Sequence, residues 1–190
     1  MRSSFGKNLK VSIWGGSHEP AIGVDIEGLP LGTEIDMNEL QAFMDRRAPG
    51  NSPFATKRKE PDVPVAKGGV SMTNPAQVSE STSSNILKVT ERTVSFEILN
   101  TDTRSADYKA LATVPRPGHA DYTARLRYGD QLNMAGGGPF SARMTAPLCI
   151  AGGIAKQILA KQGVQIDAEI YSIGGVKGEA MEDKIIEAKE

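Results

Sequence analysis

An α+β fold, built from hairpin-forming strands and separate helices, is what the residue pattern predicts, and three observations carry it. Two alternating segments, "LKVSIW" and "AIGVDIEGLP", bracket the Gly-rich stretch "GGSHEP" and so form a pair of strands around a loop. A capped helical segment, "DMNELQAFMDRR", stands apart from them, and a long apolar helix runs late in the chain. No regular strand–helix–strand repetition is present, which separates the pattern from βαβ folds. At 190 residues the chain is read as one domain over 1–190.

Taken in order, Leu9, Val11 and Ile13 alternate, as do Ile22, Val24 and Ile26, and His18 falls on the loop between. Asp36 with Glu39 three residues on gives a capping-box-like start, and Met37, Leu40, Phe43 and Met44 follow at helical spacing. Residues 48–64 lose all periodicity and read as a long loop, of the kind that is functional or disordered inside a domain. Residues 76–91 are polar and read as a second loop or a short exposed strand, whereas "TVSFEIL" alternates and predicts a strand. From Phe140 to Gln162 the pattern is helical, with Leu148, Ala151, Ile154, Ala155, Ile158 and Leu159 on one stripe. Gly152 and Gly153 allow another element to come close, and Gly163 ends the helix. "VQIDAEIYSI" predicts a further strand, and "EDKIIEAKE" a final helix.

Composition narrows the classes. Lys plus Arg number 22 against 23 Asp plus Glu, so a general nucleic-acid binder is not expected and anions must be held by local clusters. Cys149 is the single cysteine, which rules out an internal disulfide and a Cys-rich zinc site; it reads as a small buried hydrophobe. No metal site is expected from two distant histidines. The first residues lack the apolar core of a signal peptide, and no run approaches the roughly 20 apolar residues that cross a bilayer. A cytoplasmic protein without membrane partners is the expectation.

Four constellations could carry chemistry. In "GGSHEP" the glycines permit close backbone approach, Ser17 can donate a hydrogen bond, and His18 can move a proton near neutral pH. The plainer reading is a strand-connecting turn with a surface histidine. In "RPGHADYT", Arg116 can fork onto a carboxylate or phosphate and Asp121 can orient His119. The alternative is a solvated Arg–Asp pair worth under about 1 kcal/mol. "AGGGPFSAR" runs three glycines towards a helix with Ser141 and Arg143 in its first turn, resembling a phosphate-binding helix start; otherwise it is a flexible loop. Arg46, Arg47, Lys57, Arg58 and Lys59 form a basic loop, either a solvated face or a seat for a small polyanion.

Five blocks, "GGSHEPAIGVDIEGLPLG", "DRRAPGNSPFATKRKEPD", "NTDTRSADY", "RPGHADYT" and "GGGPFSARMTAPLCIAGGIAKQI", resemble the chorismate synthases in order and spacing, from Phe5 to about Gly175. The resemblance implies helices packed between antiparallel sheets, as one half of an internally duplicated fold, and a homotetramer. It implies conversion of 5-enolpyruvylshikimate 3-phosphate to chorismate in the shikimate pathway, an anti-1,4-elimination of phosphate that needs reduced FMN without net redox change. His18 would protonate the departing phosphate, and His119 would exchange a proton with the flavin, the two sharing one cleft. Ser17, Arg116 and Arg143 would bind substrate. Arg47, Phe140 and Ser141 would bind cofactor, Arg47 matching a position tied to flavin reduction by NADPH in some members.

The residues suit that chemistry, since loss of phosphate needs cations and an acid at the leaving oxygens. Where many members carry arginines, this chain has Ala48, Pro53 and Ala135, and Pro139, Phe140 and Met144 also depart from the common pattern. Family members are longer, so the chain corresponds to their first half. Little turnover is expected of it alone. The alternatives are a half that binds flavin or a phosphorylated metabolite, or one that only self-assembles.

Overall fold

A computed structural model describes residues 2–47, 61–73, 85–101, 114–129 and 132–177. The chain falls into two compact units, Met1–Ile158 and Leu159–Glu190. Among the described residues, no helix is long and apolar enough to cross a membrane.

The first unit contains a five-stranded antiparallel sheet. Its strands are β1 (Arg2–Phe5), β2 (Lys10–Gly15), β3 (Ala21–Glu27), β5 (Val65–Gly68) and β8 (Thr93–Leu99), in the order β1-β2-β3-β8-β5. The alternation seen in the sequence sets its buried face. Ile22, Val24 and Ile26 sit directly opposite Ile98, Phe96 and Val94, and all six are at most 1% exposed. Slipping this register by one residue would turn every one of them to the opposite face, so burial specifies the pairing. A smaller sheet, β4 (Glu34–Asp36), β7 (Ile86–Val89) and β6 (Val70–Met72), runs in the order β4-β7-β6.

Helix α1 (Met37–Arg47) begins where the sequence predicts. The Asp36 carboxylate accepts from the backbone N–H of Asn38 at 2.8 Å and of Glu39 at 3.2 Å, satisfying two donors the helix leaves open. Leu40 and Met44 bury on the core side. Helix α3 spans Thr145–Ala160 and buries Ala146, Pro147, Ile150, Ala151, Gly153, Ile154 and Gln157. Both sheets contribute to one core with α1 and α3. Gly153 is where the helices approach: a β carbon there would lie 2.6 Å from Leu40 Cδ1.

Several expectations are corrected. The late helix begins at Thr145, not Phe140, because Ser141 is extended at φ −66° and ψ 146° and a short 3-10 turn, Ala142–Met144, intervenes. Its buried stripe is rotated from the one predicted, leaving Leu148 42% exposed. Cys149 is half-buried at the edge of the core, and its burial pushes the thiol above its ordinary pKa. Of residues 76–91, the described part contains β7, with Leu87 and Val89 buried.

Helix α2 (Asp121–Tyr128) was invisible to periodicity because only Asp121 and Ala124 are buried, while Leu126 is 71% exposed. Gly129, at φ 79°, closes it by donating to the Arg125 carbonyl at 2.9 Å.

In the second unit the predicted helix stop is present. Gly163 takes φ 77° and donates to Ala160 at 3.0 Å, while Val164 donates back to Leu159 at 3.0 Å, the paired bonds of a Schellman cap. The strand expected over 164–173 does not form. Val164, Ile166 and Ile170 are exposed, and among the described residues the segment has no ladder partner, only a bridge from its last residue, Ile173, to Val176. The predicted helix "EDKIIEAKE" lies outside the described residues.

Candidate active site

The turn between β2 and β3 carries Ser17 and His18. The Glu19 N–H donates to the Gly16 carbonyl at 3.0 Å and closes the turn. Ser17 is fully buried, with its hydroxyl within 3.1 Å of the Ala135 carbonyl, 3.0 Å of the Gly136 carbonyl and 3.1 Å of His18 Nδ1. Its N–H donates to the Gly138 carbonyl at 3.2 Å. Two carbonyls can only accept, so a hydroxyl proton given to one of them lets the Ser17 oxygen accept from Nδ1–H, the tautomer of His18 that satisfies these contacts.

The His18 ring lies against Gly136, where any β carbon would collide with ring atoms Cε1 and Nδ1. The three-glycine loop is therefore a shaped surface for this imidazole. Gly137 donates to the Met134 carbonyl at 3.0 Å, and the Asn133 side chain accepts from the Ala135 N–H at 3.0 Å. At its far end the Ser141 hydroxyl accepts from the Arg143 N–H at 3.3 Å, capping a short 3-10 turn, Ala142–Met144. Phe140 is 43% exposed, its ring centroid 6.3 Å from that of Tyr128.

The second histidine motif is a turn running into α2. Arg116 grips Asp121 with both ends of its fork, Nε to Oδ2 at 2.7 Å and a terminal nitrogen to Oδ1 at 2.9 Å, and its backbone N–H adds a bond at 3.0 Å. The hydrogen bonds from Arg116 hold the Asp121 carboxyl down at about 2, against some opposition from burial. Asp121 thus orients Arg116, not His119 as the sequence suggested. The His119 N–H closes the turn on the Arg116 carbonyl at 3.3 Å, and its side chain stands exposed at the tip. Arg116 also makes a long contact, 3.5 Å, to the Met134 carbonyl. So the Ser17–His18 turn and the Arg116 turn both fasten to the segment 134–138.

Arg47 and Arg143 meet elsewhere, on a residue the sequence reading did not single out. Asp62 is fully buried and receives the Arg47 guanidinium on Oδ2 and the Arg143 guanidinium on Oδ1. Arg143 is itself nearly buried, its side chain 5% exposed, whereas that of Arg47 is 21% exposed. Arg47 Nε also donates to the Thr145 hydroxyl at 3.1 Å, at the start of α3. Arg143 Nε donates to Asn100 Oδ1 at 3.2 Å, and Asn100 Nδ2 donates to the carbonyls of Gly16 and Glu19 at 3.1 and 2.7 Å. The acid in "KRKEPD", directly after a basic run, was the available signal for Asp62. Lys57, Arg58, Lys59, Ala48 and Pro53 lie outside the described residues.

The family model described as chorismate synthase matches residues 9–190. The chorismate synthase of Lancefieldella parvula is 47% identical over 176 residues, covering 93% of this chain and 43% of that protein. Those of Sinorhizobium fredii and Caulobacter vibrioides are each 40% identical over 172 residues, covering 90% of this chain and 44% and 43% of theirs. The chain thus spans less than half the length of these relatives. A chorismate synthase crystal structure aligns with 83% of this chain and 35% of its own, at 18% identity and a TM-score of 0.48.

Proposed function

This chain belongs to the chorismate synthase family, and from that premise we propose that it carries catalytic groups for the anti-1,4-elimination of phosphate from 5-enolpyruvylshikimate 3-phosphate. The observation that best supports this reading is the fastening of two motif turns, about a hundred residues apart in sequence, to the one segment 134–138. An elimination of this kind needs an acid for the leaving phosphate and fixed cations around it. His18, with Nδ1–H engaged by Ser17, is set to deliver a proton from Nε2 to a phosphate oxygen. Arg47, the more exposed guanidinium of the Asp62 pair, faces incoming anions more readily than Arg143, which acts from behind it.

The residues also suit reduced FMN. A β carbon added at Gly137 would find nothing closer than Ser141 Cβ at 3.4 Å, so the loop presents bare backbone there. Phe140, Ser141 and Arg47 would hold the cofactor, and His119 would hold the proton exchanged with it at its imidazole. When bound, reduced FMN supplies electron density to the allylic system as phosphate departs. NADPH as flavin reductant, a cytoplasmic setting and a homotetramer belong to the same reading.

The test is anaerobic chorismate formation from 5-enolpyruvylshikimate 3-phosphate with reduced FMN, compared among the parent protein, His18→Ala and His119→Ala. General acid catalysis contributes about 10²- to 10⁴-fold, so each variant should lose activity on that scale. Undiminished turnover in both variants would overturn the assignment.

A further inference from the structure

We propose that Asp62 is a positioning residue for His18, acting through a chain of polar contacts that runs Asp62–Arg143–Asn100 to the turn at Gly16–Glu19. The inference rests on the reading of His18 as the acid of the reaction. Three features of the chain carry it.

First, the carboxylate is matched to its task. Each oxygen of Asp62 receives a different arginine, and no part of the residue is exposed. An asparagine puts an NH2 donor in place of one of the two acceptor oxygens, so one guanidinium would face a donor where it now meets an acceptor. A single carboxylate between two guanidiniums leaves an excess of positive charge, so the cluster keeps its attraction for phosphate while its geometry is fixed.

Second, the link to the turn is directional. Arg143 can only donate, which assigns the Asn100 oxygen to it and turns Nδ2 towards the turn. That nitrogen then bonds the two carbonyls, Gly16 and Glu19, that immediately bracket Ser17 and His18.

Third, the turn needs both of its fastenings. Ser17 ties it to the glycine loop on one side. Asn100 ties it on the other through its side chain, and without those two bonds only the Asn100 N–H to the Pro20 carbonyl holds that side, so the turn can shift about Ser17 and move the His18 ring. A displacement of about 1 Å at a catalytic group is enough to cost about 10²-fold in rate.

The experiment uses Asp62→Asn and Asn100→Ala in the full chain, read in two ways. The sequence holds two histidines, so the imidazole NMR spectrum contains two sets of ring signals, assigned with His119→Ala. The expected result is that both variants shift and broaden the His18 signals and leave those of His119 in place. In turnover with reduced FMN, kcat should fall about 10- to 100-fold with KM changing far less, because positioning of the acid and not anion affinity is lost. Unchanged His18 signals in both variants would overturn the proposal, as would Asp62→Asn lowering KM at constant kcat, which would make the carboxylate a competitor of the substrate anion. Should Asp62→Asn fail to fold, Asn100→Ala breaks the same chain while leaving the two arginine pairs intact. Absence of turnover in the parent protein counts against the proposed reaction alone, and the ring signals still decide the role of Asp62.

Discussion

Gln157, deep in α3, closes its carboxamide onto the backbone of Asp36, accepting from the Asp36 N–H at 2.9 Å and donating to the Asp36 carbonyl at 2.9 Å. The contact joins the late helix to the junction of β4 and α1, where Asp36 also caps α1. Replacing Gln157 with Leu leaves both backbone groups without these bonds, at about 1–3 kcal/mol for each one left unsatisfied. Urea denaturation should report a lower midpoint with an unchanged slope. Gln157→Glu keeps the acceptor but loses the donor and places a charge where Gln157 is 5% exposed, so it should destabilise as well.

Adjacent glycines of α3 should respond with opposite signs. An added β carbon at Gly152 meets nothing within 4 Å, so Gly152→Ala gains helix propensity of about 1 kcal/mol. At Gly153 the same carbon lies 2.6 Å from Leu40 Cδ1 and 3.1 Å from Phe43 Cδ1. Overpacking of that kind costs about 1–3 kcal/mol, which outweighs the propensity gain. Thermal melts of the two variants should move in opposite directions.

Acid should loosen the turn that presents His119. Asp121 sits at about 2 against 3.8 when free, so between those values the unfolded chain binds more protons than the folded one. The Arg116–Asp121 pair therefore contributes fully above 3.8, and its contribution disappears as pH falls through about 2. Asp121→Asn should be less stable at neutral pH by about 2 kcal/mol, the scale of hydrogen bonds to a charged group. It should also show a shallower decline on acidification, measured as urea midpoints from about pH 5 downwards.

Gly136→Ala tests the surface beneath His18. The residue adopts φ 61°, and a methyl group there would occupy the space of the imidazole and of Ser17 Oγ. The backbone penalty of about 1–2 kcal/mol is tolerable, but the ring must move. The His18 imidazole NMR signals should shift while the far-ultraviolet circular dichroism stays that of the parent, and unshifted signals would sink the prediction.

The parts of the fold legible in the sequence are those where burial imposes a period. β3 and β8 alternate because each buries one face, and α1 announces itself through Asp36. Strands β5 and β6, of four and three residues, are too short to show a period, and α2 hides because its exposed side carries Tyr122 and Leu126. The run from Val164 to Ile170 shows the reverse case, an apolar alternation with no strand beside it.

The site divides similarly. His18, Arg116 and the glycine loop stand in compact motifs and were legible, and the geometry draws Ser17, His18 and Arg116 to one segment. Asp62 and Asn100 are single polar residues, with partners 15 and 81 positions away for Asp62 and 43 or more for Asn100, and no local pattern encodes such a pairing. The hydroxyl of Ser17 is engaged by two carbonyls and an imidazole, contacts that no local pattern announces.

The segment 134–138 receives its neighbours almost wholly through main-chain oxygens, at Met134, Ala135, Gly136 and Gly138. Its role is thus written in chain shape more than in side-chain identity. Natural variants can exchange Ala135, Pro139 or Phe140 and retain the scaffold, provided the glycines between them keep their backbone path. Substitution at those three positions should therefore leave both turns anchored, because the oxygens that hold them belong to the main chain.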